Sequence, residues 1–153
     1  MNKKKKYYTP ELAEFHVGFE FEYRVQIGSY NSDTDNVRIE WRKDFCSINE
    51  PHPTLPMIDL AIKAGGIRVN HLDRSDIERL GWEINPDSKP DPIRFIKGDW
   101  HLIFDQENLF QNVWINLKMR DGCFDGYIRN ISELRILMKQ LGVEVKETKN
   151  ENK

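Results

Sequence analysis

A stretch of strict two-residue alternation constrains this chain more than any other feature of its sequence. From Phe15 to Ile27, apolar side chains occupy every second position, and the positions between them are polar or glycine. Only a β-strand places alternate side chains on opposite faces. The pattern therefore predicts one long strand, Phe15 to Ile27, with one face in a core and the other against water or a partner.

A second alternating run begins at Val37 and predicts the partner of this strand in an antiparallel hairpin. The connecting loop, Gly28 to Asn36, is dense in turn-forming residues and long enough to act as a recognition element. We expect the apolar residues of both strands to share a face. The glutamates and arginine of the first strand should then pair with the charged residues of the second, which are Arg38, Glu40 and Arg42.

The rest of the chain alternates short strand patterns with helix signals. A short helix is predicted over 57–64, and a second one is capped by Asp73 and ends at Gly81. Strands are predicted at 67–72, 82–84, 93–97, 100–104, 113–117 and 123–129. A capping box at Asn130 then starts a C-terminal helix that ends at Gly142, with an apolar stripe of Leu134, Leu137, Met138 and Leu141.

These elements predict an α+β fold. We expect a predominantly antiparallel twisted sheet of six to eight strands with short helices and the C-terminal helix packed on it. The length of 153 residues is typical of one domain, which we place at 9–145. Residues 1–8 are predicted to be a flexible basic tail and residues 146–153 a flexible C-terminal tail.

Charge and composition exclude several classes of protein. The formal net charge is −2, and the basic residues cluster at the start in Lys3, Lys4, Lys5 and Lys6, so the remaining chain is acidic and lacks the broad basic face of a duplex-binding protein. No apolar run is long enough to span a membrane. Cys46 and Cys123 are isolated, which favours a reducing compartment and leaves their pairing open.

The polar face of the first predicted strand carries the one group of residues in the sequence that could form a binding or reactive site. Glu20 and Glu22 are two residues apart, about 7 Å along a strand, a spacing that permits a shared divalent cation. His16 and Arg24 extend the same row. Pairing with the neighbouring strand is the interpretation that we favour over cation binding, and we assign no metal and no cofactor.

Other catalytic patterns are missing from the sequence. The histidines have no metal-ligand spacing and no nucleophile context, and the glycines do not form a phosphate-binding loop. We therefore predict no catalytic residue.

Two resemblances extend this interpretation. Residues 18–22 (GFEFE) resemble the metal-binding strand of carboxylate-amine ligases related to glutamine synthetase, which implies a metal-dependent ligase as one hypothesis. Residues 8–20, 72–82 and 128–142 resemble uncharacterised small proteins of Bacteroidetes and their crAss-like phages. That second resemblance implies a phage or mobile-element context in the bacterial cytoplasm and transfers no activity.

Our leading hypothesis is a non-enzymatic accessory protein that binds a host or phage macromolecule, protein rather than nucleic acid, through the sheet face or the Gly28 to Asn36 loop. One alternative is a single-stranded nucleic-acid-binding protein that uses its N-terminal lysines and exposed aromatic residues. The ligase is the other alternative. The sequence leaves the oligomeric state open.

Overall fold

A computed structural model describes residues 6–28, 38–46, 55–90, 92–105, 112–117 and 122–145. The chain divides into two compact units, one over residues 5–70 and one from His71 onward. Each unit has its own antiparallel sheet, of four and five strands respectively. The α+β class and the C-terminal helix are confirmed, but the strands lie in two sheets rather than in one sheet of six to eight.

The first unit contains strands β1 (Tyr7–Tyr8), β2 (Glu20–Ile27), β3 (Arg38–Phe45) and β4 (Ile67–Asn70), with helix α1 (Leu55–Lys63) before β4. The strand order is β1-β4-β2-β3. Residues 7 and 8 therefore belong to the sheet, although the sequence placed them in the basic tail. Residues 1–5, 29–37 and 146–153 lie outside the described residues, and so do the predictions made for them.

One face of this sheet packs against α1. Its buried residues are Phe19, Phe21, Ile67 and Val69, joined by Ile58 from the helix. Tyr8, Tyr23 and Leu12 of a preceding 3₁₀ turn pack against them. The first part of the alternating run lies in this core as predicted, through Phe19 and Phe21 with Phe15 and Tyr23 packed against them, whereas Val17 and Ile27 are exposed.

The long strand is shorter than predicted, because β2 begins at Glu20 rather than at Phe15. A 3₁₀ turn over Leu12–Glu14 precedes it, and the Phe19 amide then donates 2.9 Å to the His16 carbonyl oxygen. Gly18 supplies the positive φ of 85° that this turn requires. Phe15 still packs on Phe19, with ring centroids 4.9 Å apart, so its apolar character reflects packing rather than strand geometry.

The hairpin of β2 and β3 is confirmed, but the expected sharing of faces is wrong. Trp41 lies opposite Arg24, whereas Arg42 lies opposite Tyr23. The predicted pairing of Glu20, Glu22 and Arg24 with Arg38, Glu40 and Arg42 is also wrong, since the two sets lie on opposite faces of the sheet. Packing against α1 determines which face of β2 is apolar. Ile39 and Phe45 of β3 are exposed, so burial of apolar side chains does not determine which way β3 faces.

The second unit contains five strands that pair in the order of the sequence. They are β5 (Glu83–Ile84), β6 (Ile93–Lys97), β7 (Trp100–Asp105), β8 (Asn112–Leu117) and β9 (Phe124–Tyr127). Helix α2 (Arg74–Arg79) precedes the sheet and helix α3 (Ile131–Leu141) follows it. Both helices contribute to one core with the inner face of the sheet, where Phe95, Leu102, Phe104, Val113 and Ile115 are fully buried.

The predicted ends of both helices are confirmed. The Asp73 side chain accepts from the Asp76 amide at 3.0 Å, and the Asn130 side chain accepts from the Glu133 amide at the same distance. Gly142 ends α3 with a positive φ of 75°. These local signals define the helices without reference to the sheet.

Candidate recognition surfaces

The polar face of the four-stranded sheet carries a cluster with one side chain from each strand, which we call the arginine stack: Tyr7, Glu22, Trp41 and Arg68. The Arg68 guanidinium carbon lies 3.7 Å from the Tyr7 ring centroid and 4.1 Å from the Trp41 ring centroid. Arg68 Nε and a terminal nitrogen each lie 2.7 Å from Glu22 Oε2. The guanidinium is thus held in its plane by two rings and at its edge by a carboxylate.

The burial of the Glu22 carboxylate makes this cluster important for the stability of the sheet. Glu22 is only 9% exposed, and a carboxylate so far from water requires a partner. Arginine suits the position because its planar cation stacks on aromatic faces and bonds a carboxylate at the same time. The arginine stack therefore joins all four strands and satisfies the one buried charge on this face among the described residues.

The predicted site residues separate in the structure. Glu20, Glu22 and Arg24 share the polar face of β2, but only Glu22 is part of the arginine stack, and Arg24 is exposed opposite Trp41. His16 lies in the turn before β2, where Nδ1 donates 2.7 Å to the Glu14 carbonyl oxygen and the ring meets Phe19 edge-on. These two contacts orient the His16 ring in that turn.

The described side chains near Glu22 do not favour the cation hypothesis. Arg68 already bonds Glu22, and its positive charge disfavours a metal ion at that carboxylate. Within the described ranges, no three His, Cys, Asp or Glu side chains lie together in a way that could hold a metal ion.

Of the N-terminal lysines, Lys6 lies within the described residues. Its ammonium is 5.6 Å from the Tyr7 ring centroid, at the margin of the arginine stack. Lys3, Lys4 and Lys5 lie outside the described residues.

The outer face of the five-stranded sheet is a second candidate surface, which we call the aromatic face. The strand register places Trp114 and Tyr127 on it, 46% and 65% exposed. No described helix residue belongs to a core with these two side chains. The charged residues of this face are mostly acidic, three carboxylates against one guanidinium: Glu83, Asp105, Asp125 and Arg94.

The sequence contains a signal for this face that the predicted sites did not include. Within β8, Val113 and Ile115 alternate with Asn112, Trp114 and Asn116, so the tryptophan occupies the polar phase of the strand. An aromatic residue in that phase is a candidate contact residue, because the other phase already supplies the core.

Gly122 fixes one side of the Trp114 indole. A Cβ atom added at Gly122 would lie 2.4 Å from Trp114 Nε1, closer than van der Waals contact permits. The backbone of the next residue is held by a hydrogen bond, because the Cys123 amide donates to the Ile115 carbonyl oxygen at 2.9 Å. The backbone thus packs against the ring and orients it on the aromatic face.

Both cysteines carry free thiols. Cys46 is half-buried, and burial, with a smaller contribution from Asp44, raises the pKa of its thiol. A raised pKa makes the thiolate scarce at neutral pH, so Cys46 has the character of a packing residue rather than a nucleophile.

Neither protein-family models, nor curated proteins, nor solved structures show a match to this chain. No helix among the described residues is long and apolar enough to cross a membrane. The resemblances noted from the sequence accordingly remain predictions.

Proposed function

We propose that this chain is a non-enzymatic accessory protein, of phage or mobile-element origin and acting in the bacterial cytoplasm, that binds a basic segment of another protein through its aromatic face. The observation that carries the proposal is the exposure of Trp114 and Tyr127 on a sheet face that no described helix covers. Large exposed aromatic side chains on a rigid sheet are typical anchors of protein recognition.

The charges of this face favour a cationic partner. Asp125 lies directly opposite Trp114, Asp105 and Glu83 lie on the same face, and Arg94 is the one guanidinium of that face among the described strand residues. A phosphate backbone would be repelled by such a face, whereas lysine and arginine side chains would be attracted to it and would also stack on the rings. The proposed partner is therefore a protein segment that combines basic with apolar residues.

A displayed library of short random peptides tests this proposal, because selection from it does not require the partner to be identified. Selection on the wild-type protein should enrich peptides with basic and aromatic or aliphatic residues, and W114A and Y127S should each weaken their binding about tenfold or more. I136A, which changes an exposed residue of α3 outside this face, is the matched control. Selected peptides that bind W114A and Y127S as well as wild type would place recognition elsewhere.

Single-stranded nucleic-acid binding is the second candidate, and Lys6 is the observation that favours it. Its ammonium lies near Tyr7 and extends the positive charge of Arg68 at one margin of the four-stranded sheet. Tyr7 and Trp41 each use a ring face for Arg68, so the lysines would supply most of the affinity, and binding would fall steeply with salt.

Gel shifts with a single-stranded oligonucleotide at low and high salt distinguish the two candidates. The protein-binding proposal predicts no shift at physiological salt. A salt-sensitive shift that disappears when Lys3, Lys4, Lys5 and Lys6 are changed to alanine would favour the nucleic-acid alternative.

A further inference from the structure

Strand β3 forms an outer edge of the four-stranded sheet. It pairs with β2 over Arg38–Phe45, and within the described part of the chain no strand pairs with its other side. An open edge eight residues long presents a row of backbone donors and acceptors to any strand that can match it. The sequence of β3 determines which strand that is.

The hydrogen bonds of the sheet show which residues of β3 face this open edge. The Cys46 amide donates to the carbonyl oxygen of Phe19, the residue before β2, whereas the Arg24 amide of β2 points the other way, to Gly66. Alternation along the ladder then directs the backbone groups of the even-numbered β3 residues toward β2 and those of Ile39, Trp41 and Lys43 outward. The Phe45 amide fits this alternation, because it is bonded at 2.8 Å by the Asp44 side chain rather than by a strand.

The charges of β3 are self-complementary about Trp41. If a second copy of the strand lies antiparallel with its Trp41 opposite the first, Arg38 faces Asp44 of the other copy and Glu40 faces Arg42. Two-fold symmetry repeats both contacts, which gives four pairs of opposite charge. These residues occupy the non-hydrogen-bonded positions of such a ladder, where side chains approach most closely.

The adjacent registers do not have this property. A shift that centres the pair on Glu40 places Glu40 opposite itself and Arg38 opposite Arg42. A shift that centres it on Arg42 places Arg42 opposite itself and Glu40 opposite Asp44. Like charges directly opposed destabilise a sheet, so the sequence selects the register centred on Trp41.

We propose that β3 is the dimerisation edge of this protein and pairs with β3 of a second copy across a two-fold axis at Trp41. Two four-stranded sheets then form one continuous eight-stranded sheet, in which the outward backbone groups of Trp41 bond to Trp41 of the second copy and those of Ile39 bond to Lys43. On the other face, the half-exposed Ile39 packs beside the aliphatic stem of the partner's Lys43. This contact accounts for an apolar side chain that is 52% exposed in the single chain.

Charge reversal provides a direct test. E40R and R42E each replace two attractive cross-strand pairs with two repulsive ones, so each variant alone should dimerise more weakly than the wild type, with a dimer dissociation constant raised about tenfold to a hundredfold. The double variant E40R/R42E restores opposite charges and should dimerise as the wild type does. An equimolar mixture of the two single variants should form a heterodimer, because each then faces the opposite charge.

Sedimentation-velocity ultracentrifugation of the full chain from about 1 to about 500 µM measures these outcomes, since a small interface implies a micromolar range of affinity. Circular dichroism establishes that every variant is folded. K43P adds a test of the backbone, because it removes an outward amide and leaves the bonds to β2 in place, whereas the control K43A should dimerise. A wild type that is monomeric throughout, a dimer that is as strong in E40R and K43P as in the wild type, or single variants that associate no better on mixing than alone would each overturn the proposal.

Discussion

Each of the two units has a sheet with one face packed in a core, but different interactions stabilise the two sheets. Among the described residues, five buried apolar side chains form the core of the first unit and fifteen form that of the second. The first unit adds a nearly buried ion pair stacked between two aromatic rings, whereas the second relies on apolar packing by two helices. Stability should therefore be concentrated in the second unit and polar specificity in the first.

The core of the second unit gives the largest expected effect. F104A removes a fully buried side chain from β7 and should lower the free energy of unfolding by about 3–5 kcal/mol. Urea denaturation followed by circular dichroism measures this change. F45A, at a side chain that is 56% exposed in the first unit, should remain within about 0.5 kcal/mol of wild type. Similar losses in both variants would contradict the unequal division of stability.

The arginine stack comes next. R68A leaves Glu22 buried without its cation and removes both ring contacts, so it should cost about 2 kcal/mol. R68K keeps the charge but lacks the planar fork and should fall between R68A and wild type.

Hydrogen exchange measured by mass spectrometry locates this loss. Protection should decrease in β1 and β4 and stay unchanged in β7 and β8. R24A is the matched control, because Arg24 is an exposed arginine on the same sheet face. An equal loss of protection in R24A would show that the stack has no special role.

The cap of α3 is expected to give a smaller effect, confined to the second unit. N130A removes the side-chain acceptor of the Glu133 amide and should cost about 1 kcal/mol in thermal or urea unfolding. K139A, at an exposed position in the last turn of the same helix, should change stability by less than about half of that amount. The opposite ranking would show that the helix depends on its C-terminal end.

The smallest predicted effect concerns pH. Burial lowers the pKa of His71 below its usual value of 6.5, so the unfolded chain binds this proton more readily than the folded one does. Above pH 6.5, His71 is neutral in both states and the free energy of unfolding is at its full value. As the pH falls below 6.5, the unfolded chain takes up the proton first and the free energy of unfolding decreases. H71Q should flatten the profile of stability against pH between about 6.5 and 5. An unchanged profile would exclude His71 as the source.

Short-range chemistry is the part of this fold that the sequence predicts well. Asp73, Asn130 and Gly142 mark helix ends through hydrogen bonds and dihedral preferences that involve only neighbouring residues. The hairpin of β6 and β7 across Gly98 is likewise local, and its strands lie where the alternation predicts.

Contacts between distant residues account for what the sequence did not reveal. The register of β3 depends on which face of β2 meets α1, and the arginine stack joins residues from Tyr7 to Arg68. Alternation identified Glu22 as noteworthy but assigned it the wrong partner, because it does not specify that β4 lies beside β2. The division into two sheets was not predicted for the same reason, because alternation of apolar and polar residues identifies a strand but not the sheet to which it belongs.

The arginine stack also has a consequence for the order in which the chain matures on the ribosome. Tyr7 is synthesised about sixty residues before Arg68, an interval of several seconds at ordinary rates of translation. Once β4 emerges, every strand of the first sheet is present, whereas all five strands of the second are still to come. Arg68 thus arrives with the last strand of the first sheet, before any strand of the second sheet has been synthesised.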